Sequence, residues 1–186
     1  EDTTAEEAAS SFVNPITALC IIETLKKEDH KAIVHTAAAS NLGQMLLKLC
    51  LQENIDLICV VRSVEQAQLL QTLGAKYTIN STDEDFKEQL VEAMAETGAT
   101  LAFDAIGGGR VADTLLSSME HALSRNASGL NTYGAEQHKQ VYIYGSLECR
   151  FITLGQNYGM YWGLACDAGS DDFLAKARCR ATSSSG

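Results

Sequence analysis

Residues 38–43, Ala-Ala-Ser-Asn-Leu-Gly, occupy the six places of a G-x-G-x-x-G turn with only the last glycine kept. A dinucleotide site needs such a turn because its backbone must come close to a pyrophosphate, with N–H groups of a helix start aimed at it. Alanine and serine are small enough for that approach, but they take positive φ less cheaply than glycine does. Two readings of these residues stand side by side: a pyrophosphate cradle, and a βα turn with a packing glycine. The histidines, His30, His35, His121 and His138, show no ligand spacing, and no C-x-x-C occurs. No metal site is expected within the chain.

The flanking sequence supplies the elements that would hold the turn. An apolar run from Ala32 leads into it. After it, Leu42, Met45, Leu46, Leu49 and Cys50 fall at i, i+3, i+4, i+7 and i+8, one apolar helical stripe. A second run, Ile55–Val61, follows, so a right-handed βαβ unit is expected. Upstream, Thr4 and Glu7 offer a capping box for a short helix through Ala9. Asn14-Pro15 gives an N-cap and a first-turn proline for a helix burying Ala18, Ile21, Ile22 and Leu25. Downstream, helical patterns at 64–73, 85–96 and 112–123 alternate with strands at 76–80, 100–104 and 140–145. Gly74 and Gly98 close the first two of these helices. Residues 124–139 read as a long loop and Phe151–Leu154 as the sixth strand. Continuous apolar strands alternating with helices mean a parallel sheet covered on both faces.

Composition narrows the function. The chain has 186 residues, 46% hydrophobic, with a formal net charge of −10. That balance excludes a general binder of nucleic acid or of anionic membrane. No run of apolar residues is long enough to span a bilayer. The first residues lack the basic and apolar regions of a signal peptide. Cys20, Cys50 and Cys59 sit in apolar patterns that favour buried, reduced thiols, so a cytoplasmic protein is expected.

Several stretches together resemble a known superfamily. Phe12-Val13-Asn14-Pro15-Ile16-Thr17-Ala18, the turn at 36–44, Leu73-Gly74-Ala75, Phe103-Asp104-Ala105-Ile106-Gly107-Gly108 and Tyr144-Gly145 occur in the order seen in the medium-chain dehydrogenase/reductases. Within that group the chain is most similar to the zinc-independent NADPH:quinone oxidoreductase branch. The resemblance implies a Rossmann-type, doubly wound α/β fold with a mostly parallel six-stranded sheet and helices on both faces. It also implies leading helices over 1–30, the dinucleotide-binding domain over 31–163 and a tail of uncertain role over 164–186. A separate, mostly β catalytic domain precedes this one in the family.

Carried over position by position, Ala38, Ser40, Asn41, Leu42 and Gly43 would cradle the pyrophosphate, and Thr17 would lie near the nicotinamide. Asp104, Ala105, Ile106 and Gly107 would border the nicotinamide ribose. Tyr144 and Gly145 would supply backbone contacts to the nicotinamide. Arg62 and Ser63 follow the second strand, where NAD binders place a carboxylate for the ribose 2′-hydroxyl; a cation and a hydroxyl suit a 2′-phosphate instead. The lysine often seen a few residues on is Gln66 here. Val13 stands where zinc-dependent relatives carry a metal-binding cysteine.

The expected function is therefore hydride transfer from NADPH to a quinone or similar conjugated carbonyl, with catalytic donors in the other domain and no catalytic residue named here. Alternatives are an enoyl-thioester reductase and a nucleotide-binding regulatory protein without chemistry. A methyltransferase is a third, opposed by Arg62. By family analogy, a homodimer through an edge strand near 140–154 is expected.

Overall fold

The computed structural model describes residues 13–126, 134–148 and 150–166. The expected helix at Thr4–Ala9 and the chain from 167 onward lie outside the described residues. Six strands form one all-parallel sheet: β1 (Ala32–His35), β2 (Asp56–Val61), β3 (Tyr77–Asn80), β4 (Leu101–Asp104), β5 (Lys139–Ile143) and β6 (Trp162–Cys166). Their order is β3-β2-β1-β4-β5-β6. Strand succession thus reverses direction between β1 and β4.

Parallel neighbours need crossovers, and helices supply most of them. These are α2 (Asn41–Glu53), α3 (Val64–Thr72), α4 (Phe86–Thr97) and α5 (Val111–Asn126); α1 (Val13–Lys27) leads into β1. Alternate strand residues feed two cores. Ile33, Leu57, Cys59, Leu101 and Phe103 pack with Ala18, Ile21, Leu46, Cys50 and Leu70, so α1, α2 and α3 cover one face. Val34, Ile58, Val60, Ala102 and Val141 pack with Leu90, Met94, Leu115 and Met119, so α4 and α5 cover the other. Burial on both faces is why these strands read as unbroken apolar runs.

Helix ends follow their local chemistry. Ser40 caps α2, its hydroxyl accepting the Gly43 N–H at 3.2 Å. Ser63 caps α3 by accepting the Gln66 N–H at 3.3 Å. At the other end of α3, Gly74 takes φ 98°, and the N–H groups of Gly74 and Ala75 donate to Gln71 O and Leu70 O at 3.0 and 2.9 Å. That pair of bonds is a Schellman closure, which needs the left-handed residue glycine provides. α1 already begins at Val13, so Asn14 and Pro15 lie inside its first turn.

The sixth strand is not where the apolar run placed it. Phe151 is 96% exposed, and of residues 151–154 only Ile152 forms a bridge, to Gly109. The strand is Trp162–Cys166, in register with β5 so that Val141 faces Leu164. It lies at the sheet edge and is half-buried, so it needs no continuous apolar signature and did not read as a strand. α5 likewise runs to Asn126, past the start of the expected loop. Beside β5 the buried Lys139 ammonium pairs with Glu120 at 2.7 Å, and Glu120 also accepts the Ala135 N–H. Among the described residues no helix is long and apolar enough to cross a membrane.

Candidate functional site

In an open parallel sheet, ligands bind outside the carboxyl ends of the strands, where succession reverses. Here that edge is built from the segments after β1, β2, β4 and β5. Three of the four are interlocked by short polar contacts, and each contact has a residue-level cause.

After β1 the chain turns sharply. Ala37 takes φ 51°, a left-handed conformation that costs an alanine roughly 1–2 kcal/mol. Ala38 is fully buried and its N–H donates to Val60 O at 3.2 Å. Gly43 packs against this bend: a Cβ there would meet Ala38 O at 2.1 Å. Its glycine is therefore required for the close helix–turn approach, the role of the last glycine in the motif. The positive φ falls one residue before the first motif place, a detail the small-residue run did not reveal. Ser40 and Asn41 are exposed at the head of α2, and the first turn of that helix carries no acidic residue. An anion meets no like charge from that turn.

After β4 the loop is organised from within. Asp104 is fully buried. Its Oδ1 accepts the Thr36 hydroxyl at 2.7 Å and the Ile106 N–H at 2.9 Å, and its Oδ2 accepts the Gly107 N–H at 3.2 Å. Thr36 Oγ1 in turn accepts the Ala105 N–H at 2.8 Å. The carboxylate is consumed in shaping the loop, so residues 105–107 are held in place by Asp104 and Thr36. The resemblance did not single out Thr36. Its only sequence signal is a hydroxyl one residue past the strand end.

The β4 and β5 loops then close on each other. Gly107 takes φ 69°, and a Cβ on it would meet Gly145 O at 2.0 Å; a Cβ on Gly145 would meet Ala105 O at 2.3 Å. The Tyr144 N–H donates to Asp104 O at 3.0 Å. The Tyr144 phenol reaches His35, with Oη 2.8 Å from Nε2 and the rings stacked 5.9 Å apart. His35 is fully buried, and burial pushes its imidazole down to about 4. Burial, aided by the Asp104 carboxylate, raises the Tyr144 phenol well above the usual range.

At the end of β2, Arg62 is exposed, and among the described residues its guanidinium makes no ion pair or hydrogen bond. Its backbone N–H donates to Gln66 Oε1 at 3.2 Å, which gives Gln66 a structural use where relatives often carry lysine. Thr17 is carried by α1 and not by a strand-end segment, and its hydroxyl donates back to Val13 O at 2.9 Å. Tyr158 serves the fold, buried with its phenol on Asp113 and edge-on to Trp162 at 5.1 Å between centroids. Surface grooves of about 790 and 610 Å³ share no residue with this edge. Among the described residues no group of three or more His, Cys, Asp or Glu is placed to hold a metal ion.

The arrangement is that of an open, all-parallel Rossmann-type sheet, and comparison with known families agrees. The family model for zinc-binding dehydrogenases matches residues 42–154. The chain belongs to this family of medium-chain dehydrogenase/reductases. Solved relatives share the fold. A protein assigned as an NADPH:quinone reductase from Mesorhizobium loti is 23% identical, with TM-score 0.70, over 99% of this chain and 52% of that one. A mutant enoyl thioester reductase from Candida tropicalis is 18% identical, with TM-score 0.62, over 94% and 48%. A mycobacterial protein complexed with NADPH is 16% identical, with TM-score 0.62, over 98% and 55%. The chain thus spans about half the length of these relatives.

Proposed function

We propose that this chain is the cofactor-binding domain of a zinc-independent oxidoreductase that uses NADPH to reduce a quinone or similarly conjugated carbonyl. The observation that carries the reading is the exposed Arg62 guanidinium, without a partner among the described residues, followed in the chain by Ser63 at the end of β2. In a chain of net charge −10, a cation at that place suits the adenosine 2′-phosphate, which a carboxylate would repel. The residues present fit the rest of the group. Ser40, Asn41, Leu42 and Gly43, with the buried Ala38 behind them, receive the diphosphate; the 104–107 loop and Gly145 receive the nicotinamide ribose and ring, with Thr17 near the ring. NADPH bound in the mycobacterial relative supports the same cofactor here.

When bound, NADPH supplies the hydride; the chain's own work is to bind, orient and exclude water. Thr36 and Asp104 hold the 105–107 backbone, and Gly107 and Gly145 let two loops meet at contact distance. Val13, an aliphatic residue where zinc-dependent relatives carry a cysteine, supports a metal-free reaction. The oxyanion formed on the substrate is then met by hydrogen-bond donors, and these are assigned to a preceding domain of about 100 residues or more. The sheet edge is β6, while β5, in the 140–154 stretch expected to pair, lies between β4 and β6. Met160 and Tyr161, exposed just before β6, support a homodimer through β6 instead.

The test is NADPH oxidation by the complete enzyme with quinones and with 2-enoyl thioesters as acceptors. Faster turnover of quinones supports the reading, and faster turnover of enoyl thioesters moves the enzyme to that class. Cofactor binding without turnover of either assigns a regulatory role.

A further inference from the structure

His35 ends β1, Tyr144 follows β5, and β4 lies between those strands. The 2.8 Å contact from Tyr144 Oη to His35 Nε2 therefore passes over the end of β4 and reaches the point where strand succession reverses. The other ring nitrogen, Nδ1, is buried with no hydrogen-bond partner, and Tyr144 Oη has no second one among the described residues.

These facts place the protons. A neutral imidazole carries one N–H. With it on Nδ1, a buried donor would be left without an acceptor, the rarer of the two defects in folded proteins. With it on Nε2, the N–H donates to the phenol and only a lone pair on Nδ1 goes unused. The Tyr144 oxygen is then an acceptor toward His35, and its own O–H has no acceptor within the described chain. Tyr144 is only partly buried and adjoins the loop held by Asp104, which leaves that hydrogen for a ligand in the crevice.

We propose that Tyr144, oriented by His35, is a side-chain hydrogen-bond donor to the carboxamide oxygen of the cofactor's nicotinamide. This rests on the NADPH reading above. The Asp104 carboxylate beside the phenol disfavours an anion at this spot, so the acceptor is a neutral carbonyl oxygen rather than a phosphate or carboxylate. Tyr144 touches the ligand, and His35 is a positioning residue acting through it.

Two measurements on the 186-residue chain decide it. Nitrogen-15 NMR of the His35 ring is expected to show the proton on Nε2; a proton on Nδ1 overturns the proposal without touching the NADPH reading. Titration of Tyr144→Phe is expected to show roughly tenfold weaker NADPH binding, the loss of one hydrogen bond, with adenosine 2′,5′-bisphosphate binding unchanged. His35→Gln, which keeps an N–H donor, is expected to retain most of the affinity, whereas His35→Leu behaves like Tyr144→Phe. Unchanged NADPH binding by Tyr144→Phe, or equal losses for both ligands, overturns the proposal. Failure of the wild-type chain to bind NADPH overturns it together with the reading it rests on.

Discussion

The Thr36 hydroxyl donates to Asp104 Oδ1 at 2.7 Å while accepting the Ala105 N–H at 2.8 Å, so one side chain ties the loop after β1 to the loop after β4. Both residues are buried, and neither bond can be replaced by water without opening the crevice. Thr36→Val keeps the shape and removes both bonds. It leaves the Asp104 carboxylate one donor short, at an expected cost of about 1–3 kcal/mol in urea unfolding. Thr36→Ser, which keeps the hydroxyl, is expected to lose much less. Equal stability of the valine variant and wild type would show that the tie carries no energy.

The contact between the β4 and β5 loops depends on missing side chains. Gly145→Ala puts a methyl carbon 2.3 Å from Ala105 O, a backbone atom that cannot swing aside. Overpacking of this kind costs about 1–3 kcal/mol, and the displaced loop is one that receives the nicotinamide ribose in the proposed complex. Calorimetric melting and NADPH titration of this variant are expected to show lower stability and weaker binding together. A variant that melts and binds as wild type does would remove the argument for close approach.

His35 gives the fold an acid limit. Burial lowers its imidazole from an ordinary 6.5 to about 4. As pH falls below about 6.5 the unfolded chain takes up a proton that the folded protein refuses, so stability declines until about pH 4. The gap corresponds to about 3 kcal/mol. Between pH 7 and pH 4 the wild type is therefore expected to lose about that much stability relative to His35→Gln, measured by denaturant unfolding across the range. Parallel stability curves for the two proteins would contradict the burial of a neutral histidine.

Much of this architecture was legible in the residues. Helical periodicity and unbroken apolar strands marked the βαβ units because two-sided burial forces those patterns, and Gly74 and Gly98 marked helix ends because left-handed closure favours glycine. The edge strand Trp162–Cys166 escaped notice because half-buried positions carry no periodic demand. In its place Phe151–Leu154 drew attention through hydrophobicity alone. The candidate site could be read from the sequence as a list of positions but not as a set of bonds. Asp104 marked the right strand end, but whether its carboxylate faced a ribose or its own loop depended on Thr36, far away in the chain. The turn strain on Ala37 and the His35–Tyr144 pair likewise arise only once β1, β4 and β5 lie side by side.

The central claim is that Arg62 reads a phosphorylated adenosine, and titration of the folded 186-residue chain with NADPH and NADH tests it most directly. A guanidinium–phosphate contact contributes about 1.5–3 kcal/mol, so NADPH is expected to bind at least tenfold more tightly than NADH, and Arg62→Ala is expected to erase most of that difference. A folded chain that binds neither nucleotide, or one whose preference survives in Arg62→Ala, would contradict the account.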